Sequence, residues 1–484
     1  MARDELSAEI VVIGSGPGGS VTAALCAEAG RSVLLIEEGR NLPLESAPHF
    51  SREEILQKYR NAGVNVAFGN AKIAYVEGRC VGGGSEINRG LYHRLPDEVR
   101  EIWQSEFKVD NLSSEDLAPH FEACEQTARV EFLPGNAPAL SQRLQQGATA
   151  LGWKSIEVPR LFAYSGTWKT GVPGRKQSMS ETFVPRFLAA GGNLIADTDV
   201  VRVTRTAGKW RIEARRAPLG QRPQHLEITA ETVFVACGAV QTPALLRRSG
   251  ITKNVGDSLR FHPMLKMVAY FGDEINEPGE LEPVHQVKQF DPRFSMGCSM
   301  SKRPALAMAM APHPDLIREV DRNWRQMAIY YVQNTGGRGK VRNLPGFRDP
   351  LVRVTQSTAD LEELAEGLRR LAEVLFAAGA LTIYPSLPGY PVLRSPEDIA
   401  KLPVTLPAAR ASTTALHMFS SCPMGENAAR CATDSFGRVH GVDGLHVADA
   451  SLLCRPTVVN PQGTVMAIAH RNVQEFLNGR HVDR

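Results

Sequence analysis

Residues 9–19 read EIVVIGSGPGG, and this stretch decides the fold. The segment 9–13 is a short apolar and β-branched run, typical of a strand buried on both faces of a parallel sheet. Gly14, Gly16 and Gly19 follow in the spacing G-x-G-x-x-G. The first glycine permits a tight turn, the second lets a pyrophosphate approach the backbone, and the third lets the next helix pack against the strand. The pattern predicts a strand, a phosphate-binding turn and a helix.

The residues after the turn agree with this prediction. A helix is expected over about residues 20–29, ended by Gly30, because glycine commonly follows the last turn of a helix. The segment SVLLI then predicts a second strand that ends at Glu37, 23 residues after Gly14. A carboxylate there can accept a hydrogen bond from a ribose hydroxyl, and the helix N-terminus favours phosphate. An ordinary glycine turn would explain the motif alone, but the complete order of elements favours dinucleotide binding.

Composition restricts the class of protein. The chain has 484 residues, of which 43% are hydrophobic and 22% charged, which describes a globular protein too long for one typical core. Its net charge of +3 is too small to indicate nucleic acid or a membrane surface as a partner. The N-terminal sequence lacks a signal-peptide pattern and no apolar stretch is long enough to span a membrane, so a cytoplasmic location is expected. The eight cysteines form no C-x-x-C pair, so no metal site is predicted.

Later segments indicate a second domain that interrupts the first. Strand-like runs over 193–206 and 231–238 predict a return to the nucleotide-binding sheet. Between 263 and 410 the runs KMVAYFGD, ALAMAMAP, QMAIYYVQ and GKVRN predict strands of a half-exposed sheet. Residues 360–379 predict an amphipathic helix on a 3.6-residue period. We therefore interpret residues 263–410, together with 110–180, as an inserted cap.

Three further motifs lie far from the first turn. Residues 78–88 read GRCVGGGSEIN, a dense glycine cluster followed by small polar side chains. Residues 236–251 read ACGAVQTPALLRRSGI, and residues 417–464 contain HMFSSCPMGE, GRVHGVDGLHVADAS and VVNPQGT. Glycines lack side chains, so their backbone N–H groups can line a phosphate or the face of a flat ring.

In this order the four motifs resemble those of the glucose–methanol–choline (GMC) flavin oxidoreductases, and the resemblance covers most of the chain. It implies an α/β fold: a Rossmann-like FAD-binding domain with an inserted α+β substrate-binding cap of antiparallel sheet and helices. The implied FAD-binding domain comprises residues 1–109, 181–262 and 411–484, and the cap comprises residues 110–180 and 263–410. The resemblance also implies FAD as cofactor, a small-molecule alcohol as substrate, and O2 or another electron acceptor.

The resemblance assigns cofactor-binding residues to the motifs. Some family members bond FAD covalently through a histidine one residue before Asn88, and this chain has Ile87 there, so non-covalent FAD is predicted. Val201 resembles the position whose backbone meets the adenine. For Asp449 a turn or helix-capping role is the alternative. The other expected cofactor-binding residues are Gly14, Gly16, Gly19, Glu37, Gly82, Gly83, Gly84, Ser85, Asn88, Cys237, Gly238, Ala450, Pro461 and Thr464.

His417 and Asn460 are the predicted catalytic residues. Alcohol oxidation needs a base for the hydroxyl proton while hydride leaves the carbon for flavin N5, and a neutral imidazole suits that role. The resemblance makes Asn460 the second polar group at the alcohol oxygen. Asn460 also precedes Pro461 and an apolar periodic run, so it could serve as a helix cap. The chain departs from the family pattern H-x-x-G-T-C-x-M-G at Ser420 and Ser421.

The predicted function is oxidation of a primary or secondary alcohol to an aldehyde or ketone. The alternatives are a redox-silent hydroxynitrile lyase, a light-driven fatty-acid decarboxylase, a flavin-binding protein without catalysis, and a nicotinamide dehydrogenase. The retained pair His417 and Asn460 favours alcohol oxidation, and the glycine loop 82–84 argues against nicotinamide. No pattern in the sequence indicates the class of alcohol, the electron acceptor or the oligomeric state. Aromatic side chains that could stack on a ring, although core packing is commoner, are Tyr164, Trp168, Trp324, Tyr330 and Tyr331.

Overall fold

The computed structural model describes residues 4–164, 174–279, 283–409 and 412–479, and strands are numbered along the chain within these ranges. The first sheet comprises β1 (Asp4–Ile13), β2 (Val33–Ile36), β9 (Asn193–Ile195), β10 (Thr198–Thr206), β11 (Lys209–Arg216), β12 (Gln224–Val235) and β21 (Leu445–Val447). The second sheet comprises β3 (Asn65–Gly69), β4 (Lys72–Tyr75), β6 (Ser155–Glu157), β13 (Leu259–Tyr270), β14 (His285–Val287), β15 (Phe294–Cys298), β16 (Met327–Asn334), β17 (Arg338–Arg342), β18 (Leu351–Thr355), β19 (Thr382–Pro385) and β20 (Ser412–Phe419). A small third sheet comprises β5 (Val130–Glu131), β7 (Arg160–Ala163) and β8 (Arg175–Lys176).

Helices cover both sheets. The α-helices are α1 (Pro17–Glu28), α2 (Arg52–Lys58), α3 (Gly84–Ile87), α4 (Asp97–Ile102), α5 (Ser114–Ala128), α6 (Ala139–Ala150), α7 (Phe183–Ala189), α8 (Gly238–Arg248), α9 (Arg303–Ala309), α10 (Arg318–Asn323), α11 (Thr358–Ala377) and α12 (Gln462–Leu477). Across the four described ranges, no helix combines the length and apolar character that crossing a bilayer requires.

The first sheet has the predicted nucleotide-binding architecture. Strand β1 lies between β12 and β2, parallel to both, and β21 pairs in parallel with β12. The side chains of Ile10, Val11 and Val12 are fully buried, as a strand covered on both faces requires. Strands β10 and β11 extend the sheet in antiparallel fashion. The α/β fold class with a Rossmann-like sheet is therefore confirmed.

The second sheet is largely antiparallel and carries one long helix. Strand β13 is central to it and pairs antiparallel with β16, β19 and β20, whereas β18–β3 and β20–β4 are parallel pairs. Helix α11 begins at a capping box formed by Ser357 and Asp360 and buries Leu364, Leu368 and Leu371 against the sheet. This helix was predicted over residues 360–379, and the apolar period of its sequence explains why it packs on the sheet.

One predicted strand is a helix. The segment ALAMAMAP, residues 305–312, alternates large and small apolar side chains and was expected to be a strand, but residues 303–309 form α9. Alanine, leucine and methionine are strong helix formers, and Pro304 occupies the first turn, where proline is well tolerated. The prediction was wrong because helix propensity outweighs a short two-residue alternation.

Sheet membership differs from the predicted domain boundaries at three strands. Strands β3, β4 and β20 lie within the ranges assigned to the FAD-binding domain, yet all three belong to the second sheet. The reason is backbone pairing, because β20 is hydrogen-bonded to β4 on one side and to β13 on the other. The division of the chain into two domains stays a prediction.

Candidate active site

The first glycine turn combines tight packing with one open position. Gly14 has a φ of +103°, and a Cβ added there would lie 2.2 Å from the carbonyl oxygen of Ala236. A Cβ on Gly19 would lie 1.9 Å from the carbonyl oxygen of Gly14. A Cβ on Gly16 would meet no described atom within 4 Å, although Gly16 is the N-cap residue of α1. Close packing therefore explains why residues 14 and 19 are glycines. The open side of Gly16 instead fits the approach of a phosphate to the helix N-terminus.

Ser15 connects this turn to the second strand and to the second glycine loop. Its hydroxyl donates to Glu37 Oε2 at 2.7 Å and accepts from the backbone N–H of Gly82 at 3.1 Å. The other oxygen of Glu37 accepts from the backbone N–H of Gly39 at 2.8 Å. Burial raises the pKa of Glu37. The carboxylate thus holds the turn together, and its contact with a ribose stays a prediction.

The glycine loop at residues 82–84 lies against the first turn. Gly82 and Gly83 have positive φ values, and a Cβ on Gly83 would lie 2.9 Å from Cα of Gly16. Gly84 begins the short helix α3, and a Cβ added there would meet nothing within 4 Å in the described parts of the chain. The two loops therefore approach each other so closely that only glycine fits at Gly83, and an open glycine face remains on each.

Ser85 and Asn88 maintain the shape of this loop. The Ser85 hydroxyl donates to the carbonyl of Gly82 at 2.7 Å and accepts from the N–H of Met179 at 3.0 Å. The Asn88 side chain accepts from the N–H of Gly90 and donates to Gln462 Oε1. Both predicted cofactor-binding side chains thus make bonds within the protein, and any contact with a cofactor stays a prediction.

Asp449 connects the third and fourth motifs. Its Oδ2 accepts from the N–H of Gly238 at 2.8 Å and from the hydroxyl of Thr242, and its Oδ1 accepts from the N–H of Ser451 at 2.8 Å. It thereby caps the 3₁₀ turn Ala450–Leu452, and burial raises its pKa. The capping alternative accounts for these carboxylate contacts. Cys237 is the N-cap residue of α8.

Val201 lies at an irregularity of β10. The register with β11 shifts between Val200 and Arg202, and the Val201 carbonyl accepts from Arg248 Nε at 3.1 Å. Its side chain is 45% exposed, which is unusual for valine and leaves its surface accessible. The adenine contact stays a prediction.

The N-terminus of α12 lies beside the segment that follows the second glycine loop, because Gln462 accepts a hydrogen bond from Asn88. Pro461 is the N-cap residue, and Thr464 lies in the first turn with a buried hydroxyl that has no hydrogen-bond partner among the described residues. A bound ligand with a polar atom nearby would satisfy this hydroxyl. This hydroxyl, the open faces of Gly16 and Gly84, and the positive ends of α1 and α12 together fit an FAD molecule.

His417 and Asn460, 43 residues apart in sequence, lie side by side. Asn460 Nδ2 is 3.5 Å from His417 Nε2, and His417 Nδ1 is 3.1 Å from Nδ1 of His262. Since an amide nitrogen only donates, His417 Nε2 is the acceptor. Burial lowers the pKa of His417 to about 4, so its imidazole is neutral at physiological pH. The Nε2 lone pair accepts from Asn460 here, and it becomes available for a substrate proton when an alcohol oxygen takes over the Asn460 donor.

The structure contradicts the helix-capping alternative for Asn460. Helix α12 has Pro461 as its N-cap residue and no side-chain cap. The Asn460 amide instead accepts from Gln286 Nε2 at 3.2 Å on its oxygen side and points its nitrogen at His417. The two polar contacts across the site hold the side chain away from the free N–H groups of the helix.

The residues that surround this pair were not predicted as site residues. His262 and Gln286 are buried and hydrogen-bonded to the pair, and the half-buried His93 is hydrogen-bonded to Gln286, but the three come from separate parts of the chain. His262 lies eleven residues after the end of the third motif, and none of the three lies within a motif. Ser420 has a φ of +66°, so the chain keeps at this position the left-handed backbone that glycine favours, and the family pattern has glycine there.

Among the four aromatic candidates that the structure describes, Tyr331 contacts the site. The Tyr331 hydroxyl lies 3.1 Å from Nε2 of Gln286. Tyr330 and Trp324 are buried in hydrophobic clusters, and the Tyr164 hydroxyl accepts from Arg160. Trp168 lies outside the described residues.

Comparisons with known proteins agree with this arrangement. Family models described as GMC oxidoreductase match residues 9–264 and 338–469. The chain is 34% identical over 481 residues to an uncharacterized GMC-type oxidoreductase, y4nJ, of Sinorhizobium fredii, which covers 98% of this chain and 95% of that protein. The chain therefore belongs to the GMC oxidoreductase family, a family of FAD-binding flavoproteins.

Relatives with named activities are more distant. Long-chain-alcohol oxidase FAO1 of Arabidopsis thaliana is 25% identical over 528 residues, covering 99% of this chain and 68% of that protein. The 5-(hydroxymethyl)furfural oxidase of Methylovorus sp. is 25% identical over 523 residues, covering 93% and 94%. The crystal structure of a pyridoxine 4-oxidase from Mesorbium loti superposes with a TM-score of 0.74 at 18% identity, covering 98% of this chain and 100% of that one. At that identity the likeness shows the fold alone.

Proposed function

We propose that this protein oxidises a primary or secondary alcohol to an aldehyde or ketone with FAD as cofactor. The observation that carries the proposal is the pair His417 Nε2 and Asn460 Nδ2, 3.5 Å apart, next to the N-terminus of α12. An alcohol oxygen beside both groups would accept a hydrogen bond from the amide and give its proton to the imidazole. The printed names of the long-chain-alcohol and 5-(hydroxymethyl)furfural oxidases support the same class of substrate.

The chain's own residues would hold the cofactor at both ends. Bound FAD supplies the acceptor for the α-hydrogen and its electron pair, and O2 or another acceptor would reoxidise it. Gly16 and Gly84 would let the phosphates approach, Thr464 would satisfy its buried hydroxyl, and the N-termini of α1 and α12 would stabilise negative charge. Glu37 and Val201 stay the proposed contacts for ribose and adenine.

His417 would act as the base. Its lowered pKa keeps the imidazole neutral at physiological pH, and Asn460 would hold the alcohol oxygen so that its proton points at Nε2. Burial also disfavours the imidazolium that results from proton uptake. The α-hydrogen would leave the substrate with its electron pair, and bound FAD would keep that pair within the site. The negative charge would therefore offset the new positive charge on His417.

The pH dependence of the reaction follows from this environment. We expect the anaerobic rate of flavin reduction at saturating alcohol to stay level from pH 8 to about pH 5, because His417 remains neutral. Below that the rate should fall with an apparent pKa of about 4, as the base becomes protonated. Stopped-flow absorbance at a series of pH values measures this directly. A fall in rate centred near pH 6.5 would contradict His417, with its lowered pKa, as the base.

Unfolding must be followed in the same buffers. Burial lowers the pKa of His93, His262 and His417, so the unfolded chain binds protons at these imidazoles more readily than the folded one. The free energy of unfolding therefore decreases as the pH falls from about 6.5 towards the lowered pKa values, about 4 for His417 and about 3 for His93, and this contribution is fully present above pH 6.5. Circular dichroism at each pH separates this loss of stability from protonation of the base.

We expect the FAD to be released intact when the protein is denatured. Ile87 is buried at the position where some family members carry the histidine that bonds FAD, and an aliphatic side chain cannot form that bond. After acid precipitation and ultrafiltration, all flavin absorbance should pass into the filtrate. Flavin that remains with the denatured protein would show a covalent bond elsewhere in the chain.

A further inference from the structure

Gln286 occupies a central place among the polar side chains around the proposed catalytic pair. It lies in β14 of the second sheet and is 2% exposed. Its amide nitrogen donates to Asn460 Oδ1 at 3.2 Å and to the Tyr331 hydroxyl at 3.1 Å. Its amide oxygen accepts from His93 Nε2 at 3.1 Å. The Gln286 side chain therefore uses both ends of its amide, one towards Asn460 and the other towards His93.

The direction of these bonds determines which side of Asn460 faces His417. Gln286 offers Asn460 a donor, so Asn460 turns its oxygen to Gln286 and its nitrogen to His417 Nε2. The opposite orientation of Asn460 would bring two NH2 groups together at Gln286. It would also set the Asn460 oxygen against His417 Nε2, which would then need to carry the proton.

The orientation of the Asn460 amide also determines which nitrogen of His417 carries the proton. With Nε2 accepting, neutral His417 carries its proton on Nδ1, where it donates to Nδ1 of His262 at 3.1 Å. This tautomer keeps a lone pair on Nε2, which accepts from Asn460 here and would accept the proton of an alcohol that displaces this contact. The reverse tautomer would have a proton at Nε2 and no lone pair on that side.

We propose that Gln286 is a positioning residue that fixes the orientation of the Asn460 amide and, through it, the tautomer of His417. The importance of this tautomer for the reaction rests on the proposed function, whereas the orientation itself rests on the hydrogen bonds of the folded protein. Gln286 contacts neither the glycine loops nor α12 through these bonds, so FAD binding should not depend on it.

Two substitutions test the proposal. Gln286→Glu keeps the size of the side chain but makes it an acceptor at both oxygens when ionised, so Asn460 should turn over. Gln286→Met removes the donor without burying a charge, so neither orientation is enforced. The matched control is Gln333→Glu, since Gln333 is equally buried in β16, two strands away, and bonds to Ser295.

The direct readout is the tautomer of His417 in the FAD-loaded enzyme without substrate, from imidazole 15N chemical shifts, with the signal assigned by its loss in His417→Ala. At pH 8 the wild type and Gln333→Glu should show the proton on Nδ1. Gln286→Glu should show it on Nε2, and Gln286→Met should show both forms. A wild-type tautomer in both Gln286 variants would overturn the proposal, whatever the enzyme's activity.

Kinetics supply a second and independent readout. Gln286→Met should slow anaerobic flavin reduction about tenfold, the equivalent of one hydrogen bond. Gln286→Glu should be slower at pH 8 and recover as the pH falls, because the protonated carboxyl again donates to Asn460. A purely structural defect would give no acid recovery. If no alcohol reduces the wild type, the proposed function fails, and the tautomer measurement still decides the role of Gln286.

Discussion

Replacement of His417 by alanine is expected to lower the anaerobic rate of flavin reduction by roughly 100-fold or more while FAD stays bound. The substitution removes the proton acceptor, whereas Asn460 still reaches the alcohol oxygen and the glycine loops are unchanged. Stopped-flow absorbance with a saturating alcohol gives the rate, and the flavin spectrum before mixing gives the occupancy of FAD. The loss should appear mainly in the rate at saturation, because proton removal belongs to the reaction step.

His120→Ala is the matched control for this variant. His120 is half-buried and its Nδ1 lies 2.9 Å from Nδ1 of His470, so it resembles His417 in having a histidine partner but lies on α5. It should reduce its flavin at the wild-type rate. If His417→Ala is reduced as fast as the wild type, His417 is not the base.

Gly16→Ala is expected to weaken FAD binding by roughly 100-fold without unfolding the protein. The backbone at Gly16 has a φ of −67°, which alanine adopts readily, and its Cβ would meet no described atom within 4 Å. The methyl group would instead occupy the path of the phosphates and displace them from the N–H groups of α1. Loss of about two hydrogen bonds to a charged group corresponds to this change in affinity. Titration of the apoprotein with FAD measures it.

Two other glycines separate a ligand effect from a folding effect. Gly279→Ala adds a methyl group at an exposed position where its Cβ would likewise meet no described atom within 4 Å, and it should leave both FAD affinity and melting temperature unchanged. Gly19→Ala would place its methyl 1.9 Å from the carbonyl of Gly14 and should destabilise the fold itself. If Gly16→Ala binds FAD as tightly as the wild type, the phosphates do not pass this glycine.

The nucleotide-binding sheet could be predicted because its signals are local. The apolar strand, the glycines and the acid of residues 9–37 lie in one continuous segment, and each has its own steric reason, as the close contact of Gly19 with Gly14 illustrates. The strand prediction for residues 305–312 was wrong because two-residue alternation is a weak signal among alanine, leucine and methionine, which all favour a helix.

The surroundings of the proposed catalytic pair could not be predicted from local patterns. Gln286 reaches Asn460 across 174 residues and His93 across 193 residues, so only the folded chain brings them together. The orientation of the Asn460 side chain also depends on residues distant in sequence. Next to Pro461 it has the sequence of a helix cap, but contacts from the second sheet decide where its side chain points.

The most direct test is an anaerobic absorbance titration of the FAD-loaded protein with primary, secondary, aromatic, sugar, sterol and long-chain alcohols. If one class of alcohol bleaches the flavin spectrum, and His417→Ala abolishes most of that rate, the protein oxidises that class by the proposed chemistry. Readmission of air would then show whether O2 is the acceptor. A flavin that dithionite bleaches but no alcohol does would contradict alcohol oxidation and favour a redox-silent, light-driven or binding role.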